Sequence, residues 1–83
     1  MSEIQSTVKS YVLEEFLPGE SPDAMDNSTP LISSGILDSL STIKLVSFLE
    51  EQFNVQFEAH EISRENLDTL DLIAATVESK RHG

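Results

Sequence analysis

The apolar residues of this chain recur at helical spacing in three separate segments, and no segment alternates in the manner of a β-strand. The 83 residues include no cysteine, so disulfides cannot supplement packing and the chain must rely on one small hydrophobic core. These features predict an all-α fold. We expect a small four-helix bundle, with three main helices and one short helix, forming a single domain over residues 1–83.

The first helix is predicted to start at Ser2, which forms with Gln5 the pattern of a capping box. Pro18-Gly19 ends it, because proline cannot continue a helix. Between residues 18 and 35 the composition changes to Pro, Ser, Asp, Asn, Thr and Gly, which predicts a long ordered loop. A loop of this length in so small a domain is usually functional. The stripe of apolar residues along the first helix consists of Ile4, Val8, Tyr11, Val12 and Phe16.

A second helix is predicted from Ser39 to Phe53, with Asp38 or Ser39 as its N-cap. Helical spacing separates an inner from an outer face and leaves Phe48 between them. The outer face includes two large aliphatic side chains that the core does not need, which indicates a recognition surface. The inner face consists of Thr42, Leu45, Val46, Leu49 and Phe53. The outer face consists of Leu40, Ile43, Lys44, Ser47 and Glu51.

Two further helical segments are expected in the last third of the chain. Residues 58–64 predict a short helix of one or two turns around Ile62. The final helix is expected to be capped by Asp68 or Thr69 and to fray over residues 80–83. Its inward residues are predicted to be Leu70, Ile73, Ala74 and Val77.

Charge restricts the partners of such a chain. Its 15 acidic and 5 basic residues give a formal net charge of -10, which repels the phosphates of nucleic acids and anionic lipid heads. Proteins with basic patches are the expected partners. Without cysteine, an apolar run of membrane-spanning length or the pattern of a signal peptide, the chain is expected to be cytoplasmic and not inserted in a membrane.

Ser39 follows a loop with a permissive glycine and precedes a helix, in the sequence Gly35-Ile36-Leu37-Asp38-Ser39-Leu40. The start of a helix offers unpaired N–H groups and the positive end of its dipole, and both favour a phosphate. Ser39 is therefore well placed to carry a phosphodiester, and Asp38 could help to hold a divalent metal on an incoming phosphate donor. A simpler interpretation is that Ser39 is only an N-cap.

The stretch from Leu31 to Leu40, followed by a helix ending in Glu50-Glu51-Gln52-Phe53-Asn54-Val55, resembles the acyl and peptidyl carrier proteins. The resemblance covers essentially the whole chain. It implies that Ser39 receives 4′-phosphopantetheine from coenzyme A, that Asp38 is the aspartate at the metal of the transferase, and that the second helix is the docking surface. It also implies a monomer that has neither catalytic residues nor a resident metal.

The implied function is to hold an activated acyl or aminoacyl group as a thioester and to deliver it between enzymes. The implied partners are a phosphopantetheinyl transferase, an acyl- or aminoacyl-activating ligase and downstream acyl-transfer enzymes. The lead-in to Ser39 resembles D-alanyl and peptidyl carriers more than the carriers of fatty acid synthesis. Lys44 and Ser47 also depart from the fatty-acid carriers, which commonly show a glutamate and a larger apolar residue there.

Three other functions can be compared with the residues present. A Ser-His-Asp hydrolase would need His60 or His82 as its base, but neither lies in a triad-like context. A calcium loop is suggested by Asp23, Asp26 and Asn27, yet their spacing does not match an EF-hand. The remaining alternative is a small acidic adaptor that binds proteins through the second helix and carries no prosthetic group.

Overall fold

The computed structural model describes residues 3–19 and 25–82, and for His82 the backbone alone. In these ranges the chain is helical and contains no strand, which confirms the predicted all-α bundle. The α-helices are α1 (Glu3–Phe16), α2 (Ser39–Phe53), α3 (Arg64–Leu67) and α4 (Leu70–His82), and a 3₁₀ turn covers Ala59–Glu61. Among the described helices none is both long and apolar enough to cross a membrane.

Helix α1 places its apolar stripe against α4 and α2. Ile4, Val8 and Val12 are buried in the core, while Tyr11 and Phe16 are half-buried beside it. The helix ends where the sequence predicted, since Gly19 adopts a φ of 90°, a left-handed value that glycine tolerates. The predicted cap at Ser2 lies outside the described residues.

Helix α2 begins at an N-cap formed by Asp38, so the first of the two candidate caps is the one used. Its carboxylate accepts a hydrogen bond from the backbone N–H of Ser41 at 2.7 Å. The helix ends at Asn54, whose φ of 54° is left-handed and whose N–H bonds the carbonyl of Glu50. Of the predicted inner residues, Thr42, Leu45, Val46 and Leu49 are buried and Phe53 is half-buried.

Phe48, which helical spacing left between two faces, joins α2 to α1. Its ring stacks on Tyr11 with centroids 4.0 Å apart and planes inclined by 12°. Tyr11 meets Phe16 edge to face at 5.7 Å. Stacked and edge-to-face aromatic pairs stabilise beyond the area that they bury. This cluster therefore fixes α1 against α2.

The segment after α2 differs from the prediction of one short helix around Ile62. A 3₁₀ turn forms first, closed by Glu61, whose carboxylate accepts the backbone N–H of Glu58 at 2.9 Å. Ser63 is then extended, with φ -148° and ψ 167°, and α3 starts after it. The bond between Glu58 and Glu61 and the extended backbone at Ser63 thus divide the segment, and half-buried Ile62 lies between the two short elements.

Helix α4 buries the four predicted residues Leu70, Ile73, Ala74 and Val77. Thr69 serves as its cap, because the Thr69 hydroxyl accepts the N–H of Leu72 at 3.1 Å. The helix extends through most of the segment predicted to fray and ends at His82, while Gly83 lies outside the described residues. The Lys80 ammonium is held by the Glu61 carboxylate and lies 4.8 Å from the centroid of the Phe57 ring, and both contacts hold this end of the helix.

The loop before α2 contributes to the core as much as a helix does. Met25, Leu31 and Leu37 are each at most 1% exposed. Leu37 donates its N–H to the carbonyl of Leu31 at 2.8 Å, which folds the segment back on itself. These three residues of the predicted polar loop and its junction with α2 are therefore core residues, and the loop is packed in place.

We expect Leu31→Ala to destabilise the protein by about 2–5 kcal/mol, because it removes a fully buried side chain and leaves a cavity. Leu40→Ala is the matched control, since Leu40 is 64% exposed and its truncation should cost less than about 0.5 kcal/mol. Urea unfolding followed by circular dichroism measures both. Equal losses of stability would show that the loop does not pack as described.

Candidate functional site

Ser39 is the first residue of α2, and its side chain is exposed. The Asp38 carboxylate, one residue earlier, occupies the capping position over the Ser41 N–H. Because Asp38 caps the helix, the Ser39 hydroxyl is not required for capping. The simpler interpretation, in which Ser39 is only an N-cap, is wrong. The hydroxyl is left at the surface where the loop meets the helix.

The Asp38 carboxylate is negatively charged over most of the accessible pH range. Hydrogen bonding from the Ser41 backbone, and then from the Ser41 hydroxyl, lowers the pKa of Asp38 below its ordinary value. A carboxylate at the start of a helix also interacts favourably with the helix dipole. Ser39 therefore lies beside a fixed negative charge.

A cleft of about 580 Å³ opens beside Ser39. It runs between the loop, the first turns of α2 and the segment that leads into α3. Its apolar lining includes Leu37, Ile43 and Ile62, and its polar lining includes Thr42, Ser63 and Arg64. A larger groove of about 1120 Å³ lies at the other end of α2, but its lining is mostly polar and does not include Ser39. The cleft is thus the concave surface available to a group attached at Ser39.

Asp68 fixes the loop that forms one wall of this cleft. One carboxylate oxygen accepts the backbone N–H groups of Ile32 at 2.8 Å and Ser33 at 2.9 Å. The other accepts the Ser33 hydroxyl at 2.8 Å, and the Asp68 carbonyl accepts the N–H of Leu31 at 2.6 Å. Asp68 was predicted as a possible cap of the last helix, a role that Thr69 takes instead. We call this set of bonds the Asp68 clamp.

Hydrogen bonding in the clamp favours the ionised form of the carboxyl group. The bond from the Ser33 backbone is the main cause, and it lowers the pKa of Asp68 despite some desolvation. The ionised Asp68 therefore stabilises the folded protein. This contribution is fully present at pH values above the pKa that Asp68 has in the unfolded chain. It is lost as the pH falls through the lower pKa that Asp68 has in the folded protein.

The outer face of α2 is exposed at all five predicted positions, Leu40, Ile43, Lys44, Ser47 and Glu51. Leu40 is 64% and Ile43 is 55% exposed, which makes them the two most exposed large hydrophobic residues in the described ranges. Large apolar side chains on a surface gain nothing for stability. Their role in binding partners remains a prediction.

The residues considered for other functions are engaged elsewhere. His60 lies in the 3₁₀ turn, 3.7 Å from Glu58, and does not line the cleft at Ser39. Asp26 accepts hydrogen bonds from the backbone and hydroxyl of Ser28 and from the Thr29 hydroxyl, which closes a local turn. Asp23 and the His82 side chain lie outside the description. Within it, no group of three His, Asp or Glu residues is arranged to hold a metal.

Sequence reasoning did not identify the contributions of Asp68, Ile62 and Arg64 to this site. For Asp68 a signal was present in the sequence. Asp68 and Thr69 are adjacent capping residues, only one of them can cap α4, and the side chain of the other is free for a different role. For Ile62 and Arg64 no local signal exists, since their position at the cleft depends on how the segment between α2 and α4 folds back.

Comparisons with known proteins agree with the geometry. A family model described as a phosphopantetheine attachment site matches residues 12–77, which include Ser39. The chain is 32% identical to the acyl carrier protein PigG of a Serratia species over 90% of this chain and 85% of that protein. It is 35% identical to the D-alanyl carrier protein of Leuconostoc citreum, over 82% and 85% of the two chains, and 30% identical to that of Streptococcus suis, over 96% and 98%.

Asp68→Asn should lower stability by about 1–3 kcal/mol at pH 7, because the clamp loses its charge and one acceptor. The difference from wild type should begin to shrink as pH falls below about 4, where the unfolded chain takes up the proton, and should be lost as pH passes through the lower pKa of folded Asp68. Urea midpoints between pH 7 and pH 3 measure this dependence. Glu51→Gln, which removes the same charge from the exposed face of α2, is the control. A difference independent of pH would contradict the charged clamp.

Proposed function

This chain belongs to the family of carrier proteins that bear a phosphopantetheine attachment site, and we propose that Ser39 is its attachment residue. Proteins of this family hold 4′-phosphopantetheine covalently on a serine and are not themselves enzymes. The observation that carries the assignment is the position of the Ser39 hydroxyl. It is exposed at the first residue of α2, released from capping by Asp38, and located on the cleft.

The residues around Ser39 fit such an arm. The bound arm supplies a flexible chain ending in a thiol, which carries a carboxylic acid as a thioester. The cleft beside Ser39, about 580 Å³ in volume, offers apolar contacts from Leu37, Ile43 and Ile62. The ordered loop and the capped helix hold Ser39 in one place, so a transferase meets a preformed surface. Tethering keeps the cargo at high effective concentration among its enzymes.

The proposed cargo is an activated acyl or aminoacyl group. Two observations support the aminoacyl class. The lead-in Ser34-Gly35-Ile36-Leu37-Asp38-Ser39 resembles D-alanyl and peptidyl carriers, and several relatives are named D-alanyl carrier proteins. The relationship to an acyl carrier protein supports the broader acyl class.

The proposed partners are a phosphopantetheinyl transferase, an acyl- or aminoacyl-activating ligase and acyl-transfer enzymes that accept the cargo. The outer face of α2 is their docking surface. Leu40 and Ile43 supply its apolar contacts, and the surrounding negative charge attracts basic partner surfaces. Asp38 lies next to Ser39, where it could share the metal of the transferase. We place the protein in the cytoplasm, where coenzyme A is available to load it. We also propose that it is a monomer.

Ser39→Ala should abolish modification while leaving the helical fold intact, because Asp38 still caps α2. Intact mass after incubation with coenzyme A and a phosphopantetheinyl transferase measures the attachment. Ser41→Ala is the control, since it removes a hydroxyl two residues away and should be modified fully. Attachment to the Ser39→Ala variant would refute the site. A wild-type chain that never gains the arm would favour the adaptor without a prosthetic group.

Leu40→Ala and Ile43→Ala should each slow loading at least about tenfold, since a buried apolar anchor at an interface contributes more than about 1.4 kcal/mol. Both should leave the melting temperature nearly unchanged. Val46→Ala is the reciprocal control. It should cost about 1.5–3 kcal/mol of stability and leave loading near wild type at a temperature where the variant is folded.

The measurements are loading rate by mass spectrometry, over a range of salt concentrations, and thermal unfolding. Loading of wild type should weaken as salt increases, because screened attraction guides the encounter. Normal loading of both outer-face variants, or loading that does not respond to salt, would contradict the docking surface.

A further inference from the structure

Arg64 is the basic residue among those that line the cleft at Ser39. It is the first residue of α3, and its side chain is exposed. The ion pairs between described residues are His60 with Glu58 and Lys80 with Glu61, so within those ranges Arg64 has no carboxylate partner within 4 Å. Arg64 thus adds a basic residue to the cleft lining in a chain of net charge -10, and among the described residues no carboxylate pairs with it.

The backbone around Arg64 holds the residue in place. Ser63 precedes it in an extended conformation, and the Arg64 carbonyl accepts the N–H of Asp68 at 3.2 Å. Asp68 in turn holds the loop through the clamp. The same residue therefore connects the wall that precedes Ser39 with the short helix that carries Arg64. The two sides of the cleft are fixed relative to each other.

A phosphodiester at Ser39 would be stabilised further by a nearby cation. The Asp38 carboxylate, also on the cleft, would repel a phosphodiester attached to the neighbouring hydroxyl. The chain has five basic residues, and of these Lys9, Lys44, Lys80 and Arg81 do not line the cleft. A guanidinium group has paired N–H donors whose spacing matches two phosphate oxygens. Arg64 lines the same cleft as Ser39 and has the charge and the donor geometry to offset this repulsion.

We propose that Arg64 binds the phosphodiester of the arm on Ser39 and thereby directs the arm into the cleft between α2 and α3. This inference rests on the proposed function, because it requires the arm to be attached at Ser39. It assigns to α3 a role in orienting the arm, separate from the docking surface on the outer face of α2. Arg64 is a positioning residue in this account.

The direct test is nuclear magnetic resonance of the arginine side chains. The chain contains two arginines, Arg64 and Arg81, so its spectrum shows two Nε–Hε signals that an Arg64→Gln variant assigns. Conversion of the ¹⁵N-labelled protein to its phosphopantetheinylated form should shift the Arg64 signal and leave the Arg81 signal in place. Addition of coenzyme A without transferase should leave both signals in place.

A second measurement compares the variants Arg64→Gln and Arg81→Gln, which remove the same charge at different places. Each is modified to completion, and the melting temperatures of the modified and unmodified forms are measured. In Arg64→Gln, where the contact is lost, the change in melting temperature on modification should be about 2–4 °C less favourable than in wild type. In Arg81→Gln this change should equal that of wild type. The ³¹P signal of the arm should move in Arg64→Gln and stay at its wild-type position in Arg81→Gln.

The outcomes separate this inference from the proposed function. Complete modification with an unchanged Arg64 signal would overturn the Arg64 contact and leave the carrier function standing. Equal effects in both variants would also overturn it, because they would reflect overall charge. A shift caused by coenzyme A alone would assign Arg64 to the soluble donor and not to the arm. Failure of the chain to gain the arm at all, seen by mass, would overturn both.

Discussion

The carboxylate of Asp68 is the interaction on which the arrangement of the site depends. It lies between α3 and α4, yet it accepts two backbone N–H groups and a hydroxyl from the loop at Ile32 and Ser33. These bonds hold the loop where Leu31 and Leu37 can enter the core. Because Leu37 immediately precedes the Asp38 cap, the clamp also determines where α2 starts and where Ser39 is presented.

The buried and exposed faces of α2 have different roles. Its inner face is buried and stabilises the bundle, whereas Leu40 and Ile43 remain exposed on the outer face. The two faces meet at the cleft, where Ile43 and Ser39 line the same concave surface. A carrier needs both properties, since partners must recognise it and the arm must have a defined direction. Packing and the proposed partner binding and attachment thus use different sides of one 15-residue helix.

The sequence predicted what depends on local pattern. Helical spacing and capping chemistry located α2 from Ser39 to Phe53 and identified its buried face, because both follow from neighbours three and four residues apart. The same reasoning missed the burial of Met25 and the role of Asp68. The clamp joins Asp68 to residues 35 and 36 positions away, and Met25 packs into a core built mainly from the helices, so local pattern alone does not predict either contact. The division of residues 58–67 into two short elements was missed for a related reason.

Amide hydrogen exchange of the unmodified wild-type protein tests the Asp68 clamp most directly. The N–H groups of Ile32 and Ser33 lie in a loop, where amides ordinarily exchange fast, but both donate to the Asp68 carboxylate at the junction of α3 and α4. The account predicts that they exchange as slowly as the amide of Leu45 in the core of α2. Exchange at the rate of an unprotected loop would contradict the clamp, and with it the explanation of how Ser39 is held.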